Sequence, residues 1–151
     1  MKAEAVGEML RRDRDEWEAL VAALEARPVG GLHDAESPAW EAKDVYAHFA
    51  RWISNSTDAL EAWLDGRRLI PQPKGTDDEI NARWRAEDGA YTLAEARERA
   101  QRAFARRLAA IEAVPSERWD PILEKMARAD GYEHYTSHRH YIETSAADFQ
   151  P

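Results

Sequence analysis

Apolar residues recur at helical spacing along several long stretches of the chain, and the elements follow from them. Between about Ala3 and Arg27, the residues Val6, Leu10, Trp17, Leu20, Val21 and Leu24 fall on one stripe, the period of an amphipathic helix. Pro28 and the Gly30-Gly31 pair predict its end. Asp13 interrupts the stripe. Two accounts are open for it: the edge of the stripe reaching water, or a polar group facing an internal cavity. A loop is expected from Gly30 to Trp40, with His33 and Ser37-Pro38 in it. The second helix is predicted from Glu41 to about Asp65, with Val45, His48, Phe49, Trp52, Ser56, Leu60, Trp63 and Leu64 facing inward. Gly66 closes it, and Pro71 and Pro73 mark an irregular connection.

Two pairs, Thr76 with Glu79 and Thr92 with Glu95, have capping-box spacing. The first opens a short helix to about Glu87 that carries Asn81 and Trp84. The second opens a long helix whose inner stripe is Leu93, Ala96, Ala100, Phe104, Leu108 and Ile111, ended by Pro115. Asp120-Pro121 reads as an N-cap and first helical residue of a short segment to Arg128. Asp130 with Glu133 reads as a further start of the capping-box kind. The last helix then runs from Gly131 to about Ala147, with His134, Tyr135, His138, Tyr141, Ile142 and Ser145 inward. His140 lies about 200° round the helix from His138 and faces elsewhere. Strand-forming residues are sparse, so the predicted class is all-α, one domain over residues 1–151, with the long helices packed as a bundle.

Composition narrows the picture. The 151 residues suffice for one domain with a core of its own. The net charge of −8, from 29 acidic and 21 basic residues, argues against non-specific nucleic-acid binding. Arg97, Arg99, Arg102, Arg106 and Arg107 alternate with acids, and a solvated helix face is expected for them. Without cysteine, disulfides, thiolate ligands and a cysteine nucleophile are excluded. The charged run from Lys2 to Arg14 predicts no secretory leader, and no apolar run approaches a membrane span of about 20 residues. A cytoplasmic protein without membrane or nucleic-acid partners is expected.

The chemistry gathers on histidines. His134 and His138 are four residues apart, which stacks two imidazoles on one helix face. Such a pair can share a cation, and His48, inward on another helix, is the candidate third ligand. A hydrogen-bonded core histidine is the competing account of His48, and a metal-free, pocket-lining pair that of His134 and His138. Asp44, four residues before His48, could accept the proton of its second ring nitrogen. Trp52, Tyr135 and Tyr141 would line an apolar pocket, or simply pack the core. Three neutral imidazoles leave a divalent ion open to water or substrate; zinc, nickel, iron and manganese all accept nitrogen ligands. No nucleophile-elbow pattern surrounds a serine.

Trp40-Glu41-Ala42-Lys43-Asp44-Val45-Tyr46-Ala47-His48, Asp78-Glu79-Ile80-Asn81 and Tyr132-Glu133-His134-Tyr135-Thr136-Ser137-His138 carry a resemblance across nearly the whole chain. The chain resembles the DinB-like (YfiT-like) four-helix-bundle superfamily, and within it the ClbS/DfsB branch. The resemblance implies an up-and-down four-helix bundle with short extra helices in the connections, often as a homodimer. It implies a metal-binding triad at His48, His134 and His138. Relatives include transferases and isomerases that use a low-molecular-weight thiol. The nearer branch resembles self-resistance proteins that open a reactive cyclopropane by hydrolysis. Ser137 stands where relatives often carry a glutamate, which weakens any acid–base role for that position. The expected function is therefore a metal-dependent enzyme acting on an electrophilic small molecule, by hydrolysis or thiol transfer. The rivals are a non-catalytic small-molecule-binding protein and a stress-associated structural dimer.

Overall fold

The computed structural model describes residues 1–32, 40–66 and 69–148, with side chains to residue 143. His33 and Ser37-Pro38 lie outside the described residues, as does the side chain of Ser145. Every regular element among the described residues is helical: α1 (Ala3–Ala26), α2 (Ala42–Leu64), α3 (Asp77–Asp88), α4 (Leu93–Glu112), a 3₁₀ turn (Ser116–Arg118), α5 (Pro121–Arg128) and α6 (Tyr132–Asp148). Among the described residues, no helix is long and apolar enough to cross a membrane.

Local chemistry accounts for the boundaries. Thr76 and Thr92 accept the Glu79 and Glu95 backbone N–H groups, and Asp120 accepts that of Leu123, each answering an otherwise orphaned donor. Gly66 follows α2 at φ +73°, a conformation that favours glycine. The stripes bury as their spacing predicts. Trp17, Leu20 and Leu24 of α1 meet Val45, Phe49 and Ile53 of α2, Ala100 and Phe104 of α4, and Tyr135 and Ile142 of α6. Trp17 is central: it stacks on Phe104 at 4.7 Å and meets Phe49 and Tyr135 edge-on at 5.9 and 5.1 Å. A second cluster, with Leu10, Leu60, Ile111 and Leu123, fills the space beside α5. Burying each of these large side chains contributes roughly 1.5–3 kcal/mol. α2 packs along α4, where alanines 96, 100 and 103 admit a close neighbour, and α1 packs along α6.

Three expectations are corrected. Asp13 does not reach water: it is fully buried. Arg107 is not on a solvated face but 2 % exposed, with its Nη2 3.0 Å from Asp13 Oδ2. Each charge interrupts an inward stripe, and each supplies what the other needs to be buried. Burial pushes the Asp13 carboxyl above its ordinary value, and Arg107 and the Tyr132 N–H pull it back. The third correction concerns the start of α6. Asp13 Oδ1, not Asp130, accepts the Tyr132 N–H at 2.8 Å. Arg107 also donates to the carbonyls of Ala127 and Ala129, at 2.6 and 2.8 Å. One buried ion pair between α1 and α4 thus grips the turn from which α6 departs.

The grip leaves no room for a side chain at Gly131. A Cβ there would lie 2.6 Å from Arg107 Nη2 and 3.0 Å from Asp13 Oδ1. Gly131→Ala is expected to destabilise the protein by about 1–3 kcal/mol, the usual range for overpacking. Urea unfolding reads this directly; an unchanged midpoint would mean that the turn yields freely.

Candidate metal centre

His48 projects from the buried side of α2, in register with Val45 and Trp52. His134 and His138 project from one face of α6, a turn apart. The helices bring the three imidazoles together. His48 Nε2 lies 3.2 Å from His134 Nε2, and the three rings each offer a nitrogen within 4.8 Å of the others. Ring centroids are 5.0–5.2 Å apart in all three pairs. Phe49 packs against His134 and His138 at 4.6 and 5.1 Å, so an apolar ring backs the cluster.

His48 is 8 % exposed, and its burial sets its electrostatics. Burial, and then the neighbouring imidazoles of His138 and His134, hold its protonated form well below the ordinary histidine range; a hydrogen bond with the Asn81 side chain opposes them. A neutral imidazole with an available lone pair is the form that ligates metal. The spacing fits as well. Two nitrogens each about 2.0–2.1 Å from one ion at the tetrahedral angle lie about 3.3–3.4 Å apart. The donor set, the neutrality of His48 and the 3.2 Å separation therefore suit a divalent ion of the zinc or nickel kind.

The other expected site residues fall in different places. Asp44 lies in the first turn of α2, where its Oδ2 accepts the Glu41 N–H at 2.9 Å and sits 3.6 Å from Arg85 Nη2. The Asn81 side chain is the neighbour that favours the charged form of His48. Trp52 and Tyr141 border a cavity of about 510 Å³ that opens at the triad, with Asn81, Asp130 and Ser137. Trp52 is held there by its Nε1–H, which donates to Asn81 Oδ1 at 2.7 Å. Tyr135 packs instead in the core against Trp17, Phe49 and Phe104, with its hydroxyl buried. One residue beyond His134 is about 100° round the helix, which turns Tyr135 away from the cavity. His140 borders a separate surface groove with Arg12 and Arg139.

The residue that sequence reasoning missed is Asp130. Its Oδ1 lies 3.2 Å from His134 Nδ1, and its Oδ2 accepts the Ser56 hydroxyl. The carboxylate sits off the direction of a linear ring N–H hydrogen bond, in ion-pairing reach of a nitrogen that water does not touch. The spacing that suggested Asp44 for His48 applies equally to Asp130 and His134. That signal was masked because Asp130 also looked like a helix cap.

No protein-family model matches the chain, and no curated protein or solved structure is significantly similar to it.

Proposed function

We propose that the protein is a metal-dependent enzyme of the DinB-like, ClbS/DfsB type, built as an up-and-down four-helix bundle. It acts on an electrophilic small molecule in the cavity between α2, α3 and α6, by hydrolysis or thiol transfer. The observation that carries the reading is the meeting of His48, His134 and His138 within 4.8 Å at the mouth of a cavity of about 510 Å³. A divalent ion held by these imidazoles would act as a Lewis acid and lower the pKa of bound water. The chain supplies the rest. Phe49 excludes water from behind the imidazoles, and Trp52, fixed by Asn81, offers a flat apolar wall to a bound molecule. Three neutral ligands leave positions open, as catalytic rather than structural sites do.

The same 3.2 Å separation also suits a hydrogen bond between a donor and an acceptor nitrogen. This favours a second reading, a metal-free pocket that binds a small molecule without turnover. Metal content separates the two. Protein purified without an affinity tag is expected to carry about one divalent ion per chain, and His48→Ala to lose it. Wild type and His48→Ala with equally little metal would remove the enzyme reading and leave the binding one.

A further inference from the structure

We infer that Asp130 is the positioning residue of the centre: its carboxylate keeps the proton of neutral His134 on Nδ1, and so turns the Nε2 lone pair toward His48 and His138. The inference takes its functional meaning from the metal reading above, but its tautomer can be measured without metal. Neutral imidazole carries one proton, and the acceptor beside one nitrogen decides where that proton sits. His134 Nδ1 is shielded from water and makes no aligned hydrogen bond, but the Asp130 carboxylate, its Oδ1 3.2 Å away, is a charge that favours the proton on that nitrogen. His134 Nε2, on the far side of the ring, is then the nitrogen 3.2 Å from His48 Nε2. In metal sites a carboxylate behind a histidine fixes ring orientation and raises ligand basicity.

The way Asp130 is held supports a positioning role. It occupies the left-handed region at φ +55°, which glycine adopts freely and which aspartate and asparagine tolerate better than other L residues. Its neighbours on both sides are fixed: Arg107 binds the Ala127 and Ala129 carbonyls, and Asp13 holds the Tyr132 N–H. Ser56 of α2 donates to its second oxygen. From this turn the carboxylate reaches His134 with one oxygen and the Ser56 hydroxyl of α2 with the other.

Asp130→Gly tests this, because it removes the carboxylate and relaxes the backbone together. Asp130→Asn is the second variant, since asparagine tolerates the same conformation and keeps a neutral acceptor. In metal-free protein labelled with ¹⁵N at histidine, at about pH 8 where imidazoles are neutral, ring nitrogen shifts are expected to place the His134 proton on Nδ1 in wild type. In Asp130→Gly the proton should move to Nε2. Zinc affinity, measured by competition with a chromophoric chelator, should fall about 10- to 100-fold in Asp130→Gly, and less in Asp130→Asn. An unmoved tautomer in Asp130→Gly overturns the assignment, as does a moved tautomer with wild-type zinc affinity. Wild type that binds no zinc yet shows the Asp130-dependent tautomer would overturn the metal reading and leave this assignment standing.

Discussion

Arg107→Met is expected to destabilise the protein by about 3–5 kcal/mol, the loss seen when one member of a buried ion pair is removed. The reason is on the partner's side. Asp13 is fully buried, and without the guanidinium its remaining hydrogen bond is to the Tyr132 N–H. The Ala127 and Ala129 carbonyls lose their donors in the same stroke. Adding Asp13→Asn to Arg107→Met should recover much of the loss, because asparagine can still accept the Tyr132 N–H without a stranded charge. The two variants form a cycle whose coupling energy is expected to be large and favourable to the pair. Denaturant unfolding gives all the values. An Arg107→Met protein within about 1 kcal/mol of wild type would show that the pair is no clamp.

Zinc at a hundredfold excess over its dissociation constant is expected to stabilise the protein by about 2.7 kcal/mol. For a chain of this size that corresponds to a rise of about 5–10 °C in Tm. The effect is sizeable because the three ligands come from helices far apart in sequence, α2 and α6, and the unfolded chain does not gather them. A chelator should reverse the shift fully. His134→Ala with His138→Ala should abolish it while leaving the metal-free Tm close to that of wild type, since both residues are only partly buried. A zinc-dependent rise that persists in the double variant would place the metal elsewhere on the molecule.

Helix content and helix ends were legible in the sequence because they depend on neighbours. The capping residues Thr76, Thr92 and Asp120 act over three positions, and each does in the structure what its spacing predicted. The stripes through Leu10, Trp17 and Leu24, and through Ala96, Ala100 and Phe104, named most of the core because a 3.6-residue period selects a face. The burial of Arg107 was also within reach. It sits three residues after Phe104 and four before Ile111, on the inner stripe itself. Reading it by charge, as one arginine among several, hid its position.

What α1, α2, α4 and α6 do to one another was decided by the tertiary structure. Periodicity could place His48 inward on one helix and His134 and His138 on another, but it gives no distance between helices; packing brought their nitrogens within 4.8 Å. It likewise could not say that the acid starting α6 would be Asp13, more than a hundred residues away, and that Asp130 would thereby be free to face His134. A buried charge or a ligand set is satisfied by whatever lies nearest in space. Chain spacing fixes that only within a turn or two of helix, and beyond it the fold makes the choice.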